Sequence, residues 1–345
     1  MVPELRKDPI SGTWVIIASE RSKRPNDFAG PNEKKKGGFC PFCYGNEDKT
    51  PPELLAYRAP GLEANRSGWS VRVVPNKFAA VQTEGELNPQ TNNLYQTMNA
   101  IGAHEVVIES PDHNASLGSL PAAQAERVVR ALCERYRAIA HDSRIQYIQI
   151  FKNSGGVAGA SLEHSHWQII AIPLVPEAVE REIANSREHY AVHRKCLFCD
   201  LLSQELEDNR RIVDQGEDFF IFCPYASRFP YELWIAPKNH LSNFGEMGER
   251  ELAGLARAVK LAAGKLETAF NNPPYNIVLH TVPVQKGPEL YYHWHLEILP
   301  RLTITAGFEW GTGYFINPTS PEMAAQVLRD IQLAQGEPEN NQGGT

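Results

Sequence analysis

Apolar and polar positions along the chain form strand-like and helix-like patterns, and these patterns recur twice in the same order. The run Glu105-Val106-Val107-Ile108-Glu109 reads as a strand. It leads through Ser110-Pro111-Asp112-His113 to a helix capped near Ser119, whose Val128, Leu132, Tyr136 and Ile139 share one face. A strand at Tyr147-Ile148-Gln149-Ile150 follows, and a second, from His164 to Ile170, closes the unit. Further along, Glu232-Leu233-Trp234-Ile235-Ala236 reads as a strand running toward His240. The next helix carries Leu252, Leu255, Val259, Ala262, Leu266 and Phe270 at helical spacing. A strand around Asn276-Ile277-Val278-Leu279 then precedes His293-Trp294-His295-Leu296-Glu297-Ile298. A C-x-x-C pair opens each copy, Cys40/Cys43 in the first and Cys196/Cys199 in the second. Landmarks repeated in one order indicate a tandem duplication, with its seam between about Pro173 and Lys195.

Strands and helices in this arrangement predict an α+β chain of two half-units, 1–175 and 176–335, each an antiparallel sheet with a crossing helix. The tail 336–345, rich in Gly, Asn, Gln and Glu, reads as disordered. Lys34-Lys35-Lys36-Gly37-Gly38 and the polar stretch from Gln82 to Asn99 read as loops. A chain of 345 residues buries enough surface to fold without covalent staples. Its formal charge of −7 lacks the basic excess that counterion release demands, so no nucleic-acid partner is expected. No apolar run is long enough to span a membrane. The N-terminal Met1 to Asp8 has no apolar signal core, so a reducing, cytoplasmic setting is expected. Cys133 and Cys223, alone in apolar patterns, read as small buried hydrophobes.

Tetrahedral zinc takes four soft or borderline ligands. Each half offers two cysteines, a histidine after a strand and the first histidine of an H-x-H. This assigns Cys40, Cys43, His113 and His164 to one site, and Cys196, Cys199, His240 and His293 to the other. Closed four-ligand sites hold loops and do not activate water. An alternative in the second half gathers Glu182, His280, His293 and His295 around a harder ion.

The segment from Asn153 to Ser161 is rich in small residues and immediately precedes His164-Ser165-His166-Trp167-Gln168. Small residues let backbone N–H groups converge on an anion, which predicts a phosphate cradle. In an extended chain residues 164, 166 and 168 share a face, so His164 can bind metal while His166 and Gln168 face the cradle. A neutral imidazole attacks phosphorus to give a phosphoramidate that a second acceptor resolves. Gln168 and Asn153 would donate to the non-bridging oxygens. The second half lacks the small-residue loop and carries Glu297 where the first has Gln168; a carboxylate there repels phosphate. Only the first half is therefore expected to be catalytic.

These residues resemble the histidine-triad superfamily, specifically the galactose-1-phosphate uridylyltransferase family with its tandem half-units. Arg21-Ser22-Lys23-Arg24-Pro25, Val74-Pro75-Asn76-Lys77-Phe78, Ser110-Pro111-Asp112-His113 and Gly307-Phe308-Glu309 carry the likeness as well. The resemblance implies transfer of a uridylyl group between UDP-glucose and a hexose 1-phosphate through a nucleotidyl-histidine, with His166 as nucleophile. It implies that Gln168, Asn153 and Ser161 contact the transferred phosphate and that Arg21 and Arg24 bind phosphate. Asn76 would meet the nucleoside, and Glu309 the hexose, in a loop supplied by the partner of a homodimer. Three departures stand out. His164-Ser165-His166 replaces the usual H-P-H, Thr303 stands where a lysine is usual, and no glutamine follows the Glu309 loop. The second cysteine pair, Phe229 to Ile235 and Phe308 to Gly313 look more like the ADP-glucose phosphorylase branch. In that branch, or in dinucleoside polyphosphate phosphorylases, inorganic phosphate resolves the same intermediate.

Overall fold

In the computed structural model, residues 2–23, 38–286 and 289–333 are described. Arg24, Lys34 to Gly37 and the 336–345 tail lie outside them. The first half contributes β1 (Glu4–Lys7), β2 (Trp14–Ile17), β3 (Leu55–Arg58), β4 (Trp69–Pro75), β5 (Gln90–Asn92), β6 (Tyr95–Thr97), β7 (Ala103–Ile108), α1 (Ala122–Ala140), β8 (Tyr147–Ser154) and β9 (His166–Ile172). From there run α2 (Glu177–His193), α3 (Leu197–Asp208), β10 (Ile212–Gln215), β11 (Phe219–Phe222) and β12 (Leu233–Pro237). The chain continues through α4 (Glu249–Phe270), β13 (Tyr275–His280), β14 (His295–Pro300), α5 (Gly307–Thr312), β15 (Phe315–Asn317) and α6 (Pro321–Asp330).

Ten strands form one sheet in the order β10-β11-β12-β14-β13-β8-β9-β7-β4-β3. Read outward from the centre, β8-β9-β7-β4-β3 and β13-β14-β12-β11-β10 are the same arrangement twice. Each flank is antiparallel, and so is the seam, where Tyr275↔Ser154, Asn276↔Asn153, Ile277↔Lys152 and Val278↔Phe151 pair. The mixed architecture agrees with the α+β reading, and the two flanks share a continuous ladder.

Strand alternation separates the two faces of this sheet. Val107, Ile150, Trp167 and Ile169 point to one side, where Val128, Leu132 and Tyr136 of α1 and Leu255, Val259, Ala262 and Leu266 of α4 bury them. On the opposite face of the first half, the described residues form a small cluster of Cys40, Phe42, Trp69, Val74, Val106 and Ile108. In the second half α2 and α3 cover that face, with Phe198, Phe220, Trp234 and Tyr292 between. Cys133 and Cys223 are fully buried, as their patterns predicted.

Two local expectations need correction. The helix expected to be capped near Ser119 starts at Ala122 behind Pro121, without a side-chain cap, because Ser119 and Ser116 bond each other instead. Within the polar stretch from Gln82 to Asn99, β5 and β6 form an exposed hairpin that buries nothing and so leaves no periodic apolar signal. The seam region is occupied by α2, whose Val179 and Ile183 pack under the second half.

Helices α1 and α4 cross at a close approach between the loop before α1 and the α4 backbone. A Cβ added to Gly118 would stand 2.6 Å from Gly264 Cα and 2.7 Å from its nitrogen. Gly118→Ala should therefore cost about 1–3 kcal/mol by overpacking. Gly307→Ala, with no atom within 4 Å of the new methyl, is the control and should leave the thermal midpoint nearly unchanged.

Candidate functional site

The face of β9 away from α1 is where the sequence motifs converge, and Gln168 on it is partly exposed. His166 and Gln168 lie on it, two residues apart. Across one ladder Gln168 pairs with Phe151 of β8, and across the other with Val106 of β7. The same alternation places Asn153 beyond Phe151, beside His166. The nucleophile candidate and both carboxamides thus meet on one surface.

His166 Nδ1 lies 2.8 Å from the His164 carbonyl. A carbonyl only accepts, so Nδ1 carries the proton and Nε2 keeps its lone pair. Burial pushes the His166 imidazolium down to about 4, and the nearby Lys152 acts in the same direction. The ring is neutral at pH 7 and its reactive nitrogen is Nε2. Phe42 touches its edge at 5.3 Å between centroids.

Gln168 is held by a residue that sequence reasoning missed. His104 Nδ1 accepts the Ala80 amide at 3.1 Å, so its Nε2 donates to Gln168 Oε1 at 3.0 Å. Asn76 Nδ2 lies 3.0 Å from the same ring nitrogen, and Asn76 Oδ1 accepts the Phe78 amide. With the proton on Nε2 this contact sets one donor against another and is not a hydrogen bond, so the bonded pair is His104 and Gln168. With its oxygen engaged, Gln168 presents its amino group to that face. His104 stands just before the run that reads as a strand and lies outside every motif, so the ladder is what reveals it.

The small-residue loop differs from expectation. Gly155 (φ +83°) and Gly159 (φ +87°) take left-handed conformations that favour glycine. However, the amides of Ala158 and Ala160 both donate to Gly155 O, and that of Gly159 to Gly156 O. These three N–H groups close the loop on itself, so they do not form the predicted backbone cradle. The side-chain amides of Asn153 and Gln168 lie on the His166 side of the sheet, with their oxygens engaged by Asn276 and His104. Ser161 follows the loop on the surface.

Beneath the histidine lies a buried charge pair. Lys152, 1% exposed, donates to Glu109 Oε1 at 2.8 Å and to Ser165 Oγ at 2.6 Å, and Ser165 in turn bonds Glu109. The serine in H-S-H thus anchors the start of β9 through bonds that proline lacks the hydroxyl to make.

Both predicted cysteine–histidine sets assemble. Zinc bonds of about 2.3 Å to sulfur and about 2.0 Å to nitrogen, at the tetrahedral angle, separate S and N by ~3.5 Å. The observed separations are 3.6 Å (Cys40 to His164), 3.6 Å (Cys43 to His164) and 3.4 Å (Cys43 to His113). In the second set they are 3.4 Å (Cys199 to His240) and 3.7 Å (Cys199 to His293), and Cys196 joins the same group. His164, His240 and His293 each turn the other ring nitrogen to a carbonyl, of Ser110, Glu289 and Pro237 respectively, the usual support for a metal-bound imidazole. The donor sets fit a tetrahedral ion.

The alternative set divides. His293 goes with the cysteines, while Glu182, His280 and His295 gather separately. His280 Nδ1 lies 2.9 Å from Glu182, and His280 Nε2 lies 3.4 Å from Glu297, which also binds Arg228. The ladder Val278↔Glu297 and His280↔His295 shows what this cluster is. His280, His295 and Glu297 occupy the positions held in the first half by Asn153, His166 and Gln168. His295 is fully buried, stacked between Phe198, Trp234 and His280, whereas His166 keeps 7% of its surface. The second half fills the equivalent positions with a buried, ion-paired cluster.

The remaining predicted residues stand apart. Arg21 is exposed in a 3₁₀ turn, Ser19–Lys23, and Arg24 lies outside the described residues. Glu309 caps its own helix, with Oε2 accepting the Ala306 amide at 3.0 Å. Among the described residues no hydrogen bond joins Glu309 to the His166 face.

The chain matches the family description "Galactose-1-phosphate uridyl transferase, N-terminal domain" over residues 1–176 and its C-terminal counterpart over residues 182–333. It is 37% identical over 339 residues to ADP-glucose phosphorylase of Arabidopsis thaliana, covering 96% of this chain and 93% of that one. To galactose-1-phosphate uridylyltransferase of Thermotoga maritima it is 31% identical, covering 96% and 99%. The crystal structure of the Arabidopsis ADP-glucose phosphorylase with bound ADP-glucose superposes with a TM-score of 0.81 at 35% identity, covering 96% of this chain and all of that one. A uridylyltransferase structure superposes at 0.74 with 31% identity, covering 95% and 97%.

Replacing Lys152 with Met should cost about 3–5 kcal/mol in denaturant unfolding, because Glu109 is left charged and buried. Adding Glu109→Gln in the Lys152→Met background should recover part of that loss; no recovery would count against the pairing.

Proposed function

The chain belongs to the galactose-1-phosphate uridylyltransferase family, and we propose that His166 is its nucleophile in a two-step nucleotidyl transfer. The observation that carries this reading is the 2.8 Å contact from His166 Nδ1 to the His164 carbonyl, which leaves Nε2 unprotonated beside two outward-facing carboxamides. In the first step Nε2 forms a bond to the α-phosphorus of a nucleoside-diphosphate sugar. The bond from that phosphorus to the bridging oxygen breaks, and sugar 1-phosphate leaves with the electron pair. Nδ1–H, held against the carbonyl, stabilises the positive charge the ring acquires. Asn153 and Gln168 donate to the non-bridging oxygens as their charge grows. In the second step an acceptor phosphate oxygen attacks phosphorus and the Nε2–P bond breaks, restoring the ring.

We assign Ser161, Arg21 and Arg24 to the phosphates, Asn76 to the nucleoside and Glu309 to the sugar. Glu309 would act across a homodimer: its helix α5 buries no residue, and Phe308 and Trp310 on it are exposed. The half-units 1–175 and 176–335 would then be a catalytic unit and a supporting one. Each would carry one structural zinc, held by Cys40, Cys43, His113 and His164, and by Cys196, Cys199, His240 and His293. No helix among the described residues is long and apolar enough to cross a membrane, and we place the enzyme in the cytoplasm.

The first substrate reading is exchange between UDP-glucose and a hexose 1-phosphate. A second is favoured by Thr303, exposed where the family's lysine would stand, and by the absent glutamine. It keeps His166 and lets inorganic phosphate resolve an adenylyl intermediate formed from ADP-glucose.

Intact mass after incubation with UDP-glucose or ADP-glucose separates these readings, since UMP and AMP adducts differ in mass. A chase with galactose 1-phosphate or phosphate identifies the acceptor. His166→Ala should form neither adduct and should lose at least ~10⁴-fold in turnover; an adduct in that variant would refute the assignment. Metal analysis should give about two zincs per chain, and one or none would remove a site.

A further inference from the structure

The second half meets the first at Asn276, on the seam ladder. Asn276 Nδ2 donates to Asn153 Oδ1 at 2.7 Å and to Ala158 O at 2.8 Å, while Asn276 Oδ1 accepts Arg301 Nε at 2.6 Å. The carboxamide is saturated, and each partner fixes its orientation. The seam ladder puts Asn276 directly opposite Asn153, so this contact follows from strand register.

The same short segment shapes the loop. A Cβ on Gly155 would stand 2.9 Å from Pro274 Cβ, and Pro274 O accepts the Arg301 amide at 2.8 Å. Because Asn153 Oδ1 is engaged from behind, its amino group turns away from Asn276 and lies 3.7 Å from the place a Cβ would take on Gly159. Arg301 is half-buried over the Phe229 ring at 4.7 Å, and among the described residues it forms no ion pair. Its charge is therefore not neutralised by a carboxylate contact. Burial and the nearby Arg228 pull its pKa below the ordinary arginine value.

On the reading that Asn153 contacts the transferred phosphate, we propose that Arg301 and Asn276 are positioning residues. They form a polarised relay that aims the Asn153 amino group at that phosphate. A cation at the far end strengthens each donor along a hydrogen-bonded chain. The effect grows as negative charge accumulates on the non-bridging oxygens, so it acts more on the transition state than on bound substrate. Arg301 and Asn276 themselves touch no reacting atom.

The test is the single-turnover rate of nucleotidyl-His166 formation, with whichever nucleotide sugar labels the wild-type protein. Arg301→Met and Asn276→Asp should slow it ~10–100-fold while KM moves less than ~3-fold. Arg301→Lys should recover part of the rate, since it restores the cation. In an Asn153→Ala background the same two substitutions should cost less than ~3-fold, because the group they aim is gone. Thermal unfolding run in parallel identifies a variant that has lost its fold. If Asn276→Asp does not fold, Arg301→Met and Arg301→Lys decide the matter. Wild-type rates in Arg301→Met, or an undiminished loss in the Asn153→Ala background, would overturn the relay while leaving the histidine mechanism standing. Absence of any adduct in the wild-type protein would overturn both.

Discussion

The antiparallel ladder between β8 and β13 is the constraint on which the site depends. It makes one sheet of two duplicated halves and brings the second half to the edge of the first half's chemistry. A slip of one residue in that register would turn Asn276 to the helix side and leave Asn153 without its partner. The ladder also sets the division of faces. The helix side is filled by α1 and α4, while on the other side of the first half Asn153 and Gln168 stay partly exposed beside the buried His166.

Duplication followed by divergence accounts for the different side chains at equivalent positions of the two halves. Equivalent ladder positions carry Asn153, His166 and Gln168 in the first half and His280, His295 and Glu297 in the second. The first set is an uncharged constellation that can receive an anion. In the second, Glu297 is already balanced by Arg228 and His280, and aromatic rings close over His295. A carboxylate occupies the counterpart of the place where phosphate would bind. Both halves kept their cysteine–histidine clusters, in line with a role in holding loops.

Much of this was legible in the sequence because its signals are periodic or paired. Helical spacing gave α4, strand–helix order gave the repeat, and matched C-x-x-C and H-x-H landmarks gave both cysteine–histidine sets. What escaped notice depends on tertiary register or on hydrogen bonding inside a loop. His104 and Asn276 belong to no motif; they matter because ladders place them behind Gln168 and Asn153. The glycine-rich loop suggested backbone donors, yet Ala158, Gly159 and Ala160 use theirs to close the turn. The β5–β6 hairpin escaped because it buries nothing. Ser165 stood out in the sequence only as a departure from proline, and its bonds to Lys152 and Glu109 became visible with the fold.

The central claim concerns which nitrogen of which histidine becomes bonded to phosphorus. Nδ1 faces a carbonyl that can only accept, so the proposed mechanism places the bond at Nε2 of His166. Trapping the intermediate with a nucleotide sugar, then reading its phosphorus–nitrogen connectivity by NMR and peptide mapping, tests this directly. The account predicts a phosphoramidate on His166 Nε2 alone. A nucleotide on Nδ1, on His295, or on any other side chain would contradict it.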